Sequence, residues 1–132
     1  MKYKIILFFL LTLSVTACEE DVPADTNPCG EKVFLRMFVR DTMGLPYFFS
    51  RSETYLNDTT NLILKYEDLV RPSALVVISD NEIDKLPDSI NHLIVRAYKG
   101  LDTLILEEKF VVSKDTCHVI YKSGPKEVKI YD

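Results

Sequence analysis

Val33-Phe34-Leu35-Arg36-Met37-Phe38-Val39-Arg40 alternates strictly, with Val33, Leu35, Met37 and Val39 on one side and Phe34, Arg36, Phe38 and Arg40 on the other. Successive side chains of a strand point to opposite faces, so this period of two reads as β-structure. Both sides carry bulk, which implies one core face and one partly covered face. Residues 41–46, Asp-Thr-Met-Gly-Leu-Pro, follow as a turn, and Tyr47-Phe48-Phe49 starts the next extended piece.

Towards the C-terminus the same alternation of strand and turn chemistry recurs. Asn57-Asp58-Thr59-Thr60-Asn61 is a turn between Tyr55-Leu56 and Leu62-Ile63-Leu64, with strand expected on both sides. Ala74-Leu75-Val76-Val77-Ile78-Ser79 is a short, β-branched, buried strand bounded by Pro72. The one helical turn, residues 82–86, is stopped by Pro87 and is too short to form a layer. Residues 92–99 alternate again with Leu93, Val95 and Ala97 inward, and Lys99-Gly100-Leu101-Asp102 turns the chain into residues 103–113. Residues 117–122 and 127–131 supply two more strands around Ser123-Gly124-Pro125. Turn signals every eight to twelve residues predict an all-β fold, a single antiparallel sandwich of seven or so strands of immunoglobulin or transthyretin type. The chain has no tryptophan, so the cysteine-tryptophan-cysteine core of true immunoglobulin domains is not supported.

Upstream, Lys2 and Lys4 precede an apolar run from Ile5 to Leu13 that is too short to span a bilayer. Residues Val15-Thr16-Ala17-Cys18 then resemble the lipobox of bacterial lipoproteins, in which the cysteine is acylated and becomes the N-terminus. That resemblance implies a cleaved signal peptide over residues 1–17, lipid on Cys18, a lipidated tether over residues 18–30 and a folded domain over residues 31–132. Two or three acyl chains anchor far more firmly than one, at ~0.8 kcal/mol for each buried methylene. Glu19-Glu20-Asp21 resembles the acidic export signal of Bacteroidetes-type outer-membrane lipoproteins, which implies the outer membrane, on its periplasmic or cell-surface face; a plain solvated linker is the alternative. The tether holds two prolines, a glycine and almost no large apolar group, and its ~12 residues reach at most about 40 Å.

With Cys18 assigned to lipid, Cys29 and Cys117 remain in a compartment that permits disulfides, and they are expected to pair; two independent thiols are the alternative. The net charge is −4, and losing Lys2 and Lys4 with the signal makes it −6. Nucleic acid is excluded as a partner, since phosphate recognition needs a basic face.

Val39-Arg40-Asp41-Thr42-Met43-Gly44-Leu45-Pro46 resembles the first strand and turn of carboxypeptidase-regulatory-like (transthyretin-like) domains, whose pattern is Val-x-Asp-x-x-Gly-x-Pro. Residues 110–119 with Ser123-Gly124-Pro125 are similar to the end of small Bacteroidetes lipoproteins that carry such sandwiches. The resemblance implies a noncatalytic domain.

Cys117 and His118 are adjacent and point to opposite faces of a strand, so they do not chelate one ion. Asp80, Glu82 and Asp84 begin like a calcium loop, but Lys85 stands where the EF-hand turn needs glycine and Asn91 where it needs glutamate; a solvated loop with a cap at Asp80 or Asn81 is the plainer reading. No metal or cofactor is expected. No nucleophile elbow occurs and the two histidines lack a recognisable nucleophile, so no catalytic residue is assigned. Glu107 and Glu108 are split to opposite faces by a strand.

Asp followed by Ser or Thr occurs six times, about four times the number that eleven aspartates and seventeen Ser and Thr would give at random. Four of these, at Thr42, Thr59, Ser89 and Thr103, resemble the O-glycosylation sequon of Bacteroidetes-type exported proteins; turn propensity alone is the alternative. Tyr47, Phe48 and Phe49, with Tyr55 and Tyr66, are a candidate ligand platform. Taken together, these readings give a noncatalytic envelope lipoprotein acting as an interaction or structural module on an unknown protein or glycan partner. The alternative is a glycan- or small-ligand-binding accessory lipoprotein.

Overall fold

The computed structural model describes residues 29–67 and 74–131. The signal segment, Cys18 and the tether through residue 28 lie outside the described residues. Eight strands run in order: β1 (Phe34–Arg40), β2 (Arg51–Leu56), β3 (Leu62–Glu67), β4 (Ala74–Ser79), β5 (Asn91–Lys99), β6 (Thr103–Lys114), β7 (Val119–Ser123) and β8 (Glu127–Lys129), with a 3-10 helix (Asp80–Lys85) after β4. They form a three-stranded sheet, β4-β1-β8, and a five-stranded sheet, β3-β2-β5-β6-β7.

The period-two segments become strands because each buries one face. Met37 and Val39 of β1 are fully buried, as are Leu75 and Val77 of β4 and Leu93, Val95 and Ala97 of β5. Together with Phe110 and Val112 of β6 they form one core between the sheets. At ~25 cal/mol per Å² of apolar area removed from water, this layer is the main stabilising term. A bulge between Leu35 and Arg36 leaves Val77 out of register, and its carbonyl accepts a 2.6 Å bond from Thr54 Oγ1 of β2, tying the two sheets together.

The expectation of an antiparallel sandwich holds for every pair except β1 and β8, which run parallel. The cause is the step after β7. Gly124, at φ 137°, and Pro125 carry the chain across to the other sheet without reversing it. A Cβ on Gly124 would collide with the buried ring of Phe110, lying 2.8 Å from Cε1 and from Cγ and closer still to Cδ1.

Three boundaries also differ. Residues 47–49 do not start a strand: Tyr47 N donates to Val39 O while Ser50 N donates to Tyr98 O, so the segment is spent in crossing between sheets. β7 starts at Val119 rather than at Cys117, because the Asp115 carboxylate accepts the amides of Cys117 and His118 and holds them in a turn. The 3-10 helix is capped by Ser79, whose side chain forms a capping box with Glu82; Asp80 is used elsewhere.

The strands define two ends. The proximal end gathers Cys29, the start of β1, the 3-10 helix and the start of β7. The distal end gathers the 41–46 turn, the β5–β6 turn and the end of β8.

Candidate functional site

At the proximal end Cys29 and Cys117 form a disulfide with Cα atoms 5.0 Å apart. Beside it, Asp80 directs both carboxylate oxygens at neighbours: Oδ2 accepts Val33 N at 2.7 Å and lies 2.7 Å from His118 Nδ1, while Oδ1 accepts Val119 N at 2.8 Å. One side chain therefore holds the end of β4, the approach to β1 and the start of β7, which belong to both sheets. Burial pushes the Asp80 carboxyl up, but the bonds from Val33, His118 and Val119 outweigh it and hold the group below the usual carboxylate range. The same hydrogen bond to Asp80 raises His118 above the ordinary imidazole value, against a smaller opposing effect of burial.

The two shifts set opposite limits. Asp80, depressed, contributes stability that is complete above its unfolded pKa near ~3.9 and is lost as pH falls through its folded value. His118, raised, contributes stability that is complete below ~6.5 and is lost as pH rises through its folded value. The clamp is therefore tightest from about pH 4 to 6.5. Thermal melts of the full chain are expected to show a maximum in this window, and Asp80→Asn is expected to lower the midpoint and flatten the profile. A variant melting like wild type at pH 5.5 would show that the clamp carries no stability.

This geometry accounts for residues read from sequence as possible metal ligands. Cys117 is consumed in the disulfide, His118 turns to Asp80, Glu82 closes the capping box and Asp84 points to solvent. Glu107 faces outward onto Arg96 at 2.7 Å, while Glu108 lies on the inner face opposite Val95.

The proposed aromatic platform is corrected. Tyr47 and Phe49 are core residues, 6% and 3% exposed, and only Phe48 faces solvent, at 69%. The reason is the crossing between sheets, which alternates the three rings in, out and in. Phe48 instead borders a distal groove of about 440 Å³ with Asp41, Leu45, Pro46 and Lys99. Tyr55 lies on the outer face of the five-stranded sheet beneath Arg96, 5.6 Å from its guanidinium carbon, and Tyr66 is half-buried. Burial and a 2.5 Å bond to Glu53 Oε2 push the Tyr55 hydroxyl up to about 12.

The four hydroxyl residues are all exposed and do not converge. Thr42 and Thr103 lie at the distal end, Thr59 and Ser89 at the proximal end. In the 57–61 turn, Asp58 Oδ1 accepts the amides of Thr60 and Asn61 and the Thr60 hydroxyl, which leaves Thr59 unconstrained by that network.

Sequence reading missed the role of Asp80, whose partners are 38 to 47 positions away. The outer side of β1 is partly covered, as its bulk implies, with Phe34 and Phe38 40% and 44% exposed. The signal for that face, aromatic and arginine residues in strict alternation, was present. Comparison of the chain with family models, with curated proteins and with solved structures finds no match.

Proposed function

We propose that this chain is a noncatalytic interaction or structural module of the bacterial outer envelope, held there by lipid on Cys18. The observation that carries the reading is the proximal clamp. A tether over residues 18–30 includes Cys29 and so delivers its load to the Cys29–Cys117 bridge and, through Asp80, to both sheets, bracing the domain where an anchor would pull. A disulfide also fits an exported protein better than a cytosolic one. Beyond the clamp the sandwich projects away, with Met43, Leu45, Phe48 and Leu101 exposed at its distal tip.

A relationship to carboxypeptidase-regulatory-like domains is part of the same proposal, and the distal turn supports it. Asp41 Oδ1 accepts the amides of Met43 and Leu45, Gly44 takes φ 81°, and Pro46 bridges back to Arg40. Each residue of the Asp-x-x-Gly-x-Pro pattern thus has a mechanical role in reversing the chain.

Metabolic labelling with an alkyne fatty acid tests the anchor. Wild type is expected to be labelled and to sediment with membranes, and Cys18→Ser to lose the label. Labelling that survives the substitution, or a chain that is soluble and unlabelled, would overturn the proposal.

A further inference from the structure

The outer faces of the two sheets use their charges differently. On the five-stranded sheet Arg51 pairs with Glu53 and Asp102, Arg96 with Glu107, and Lys65 with Glu67. On the three-stranded sheet β1 presents Phe34, Arg36, Phe38 and Arg40, with Ala74 and Val76 in register on one side and Glu127 and Lys129 on the other. The guanidinium carbon of Arg36 lies 5.4 Å from the Phe34 ring centre and that of Arg40 5.7 Å from Phe38. Arg40 is also held by Glu127 at 2.7 Å and by Gly44 O at 3.1 Å. Arg36 has no carboxylate partner among the described residues. Among the described residues of these strands, Arg36, Arg40 and Lys129 face outward with Glu127 as the one carboxylate, a cationic and aromatic face on a chain of net charge −4.

We propose that this face binds a linear polyanionic glycan bearing carboxylates, with sugar rings stacked on Phe34 and Phe38 and a carboxylate paired with Arg36. Charge complementarity selects an anion, and a guanidinium already stacked on a phenyl ring is ordered before the ligand arrives, which lowers the cost of a bidentate pair. An acidic peptide is less suited. It would give Arg36 a carboxylate but bring no ring to stack on Phe34 and Phe38, and the poly-glutamate gel below separates the two ligands. A second copy set face to face would oppose arginine to arginine. Nucleic acid would meet net negative charge elsewhere on the chain. The inference names a ligand class for the binding role proposed above, and it does not depend on lipid at Cys18.

The test is affinity electrophoresis of the full chain in detergent through polygalacturonate, with dextran and poly-glutamate gels as comparisons. Polygalacturonate is expected to retard the protein, less so as salt rises. Arg36→Gln, at an exposed position, is expected to weaken binding about tenfold or more, the loss of one charge-assisted pair. Phe34→Ser with Phe38→Ser is expected to abolish it, with circular dichroism confirming the fold. Lys109→Gln on the other sheet is expected to bind as wild type. No retardation, equal retardation of Arg36→Gln, or equal binding to dextran would overturn the proposal. Equal binding to poly-glutamate would overturn it in favour of an acidic protein partner. Failure of the lipid label with polygalacturonate binding intact would refute the envelope anchor alone; the converse would refute the glycan face alone.

Discussion

Replacing Cys29 and Cys117 together by alanine is expected to lower the unfolding free energy by about 3–5 kcal/mol. The bridge closes a loop of 88 positions, and on the chain-entropy account a loop of that size restricts the unfolded ensemble by about 4–5 kcal/mol. For a domain of this size, whose net stability is ~5–15 kcal/mol, such a loss is a large fraction of the whole. The cost has a local part as well. Cys29 lies close to the approach to β1 that Asp80 fastens through Val33 N, so freeing it loosens the clamp. Urea denaturation of the double variant against wild type would check this, and a midpoint shift corresponding to under about 1 kcal/mol would show that the two ends are held by packing alone.

Gly124→Ala is expected to cost about 2–4 kcal/mol, for two separable reasons. At φ 137° the position is strained for any L side chain, and the added Cβ runs into the Phe110 ring, which is 1% exposed and packed at the centre of the core. Gly44→Ala isolates the first reason. Its φ is also positive, at 81°, but nothing lies within 4 Å of the added atom, so a loss of only ~1–2 kcal/mol is expected. Equal losses at the two positions, measured by denaturant melts, would show that the close approach to Phe110 carries no cost. A larger loss at Gly124 would tie the parallel placement of β8 to that contact.

Much of the fold was legible because its signals are local. Ala74–Ser79 reads as a strand from its own composition, and Leu93, Val95 and Ala97 read as inward from their spacing; all three are fully buried. The turn at residues 57–61 was legible because Asp58 caps its own neighbours. The parallel β8 was not legible, since it depends on a glycine passing over a ring fourteen positions earlier in the chain. Nor was the burial of Tyr47 and Phe49. An unbroken aromatic run has no period, and only the change of sheet decides which rings turn inward. The cysteine pairing could be read from counting, because assigning Cys18 to lipid leaves an even number of thiols, while the carboxylate that reinforces the bridge has partners distant in sequence.

The proposed function joins the braced proximal end and the exposed distal tip in one mechanical account, a small sandwich displayed on a tether. Its central claim is the anchor. Intact mass spectrometry of the chain extracted from the membrane fraction tests it most directly. The account predicts a polypeptide beginning at Cys18, with the mass of thioether-linked diacylglycerol added and with Cys29 and Cys117 together two hydrogen atoms lighter than free thiols. A chain that retains residues 1–17, or one that begins elsewhere and carries no acyl mass, would contradict it.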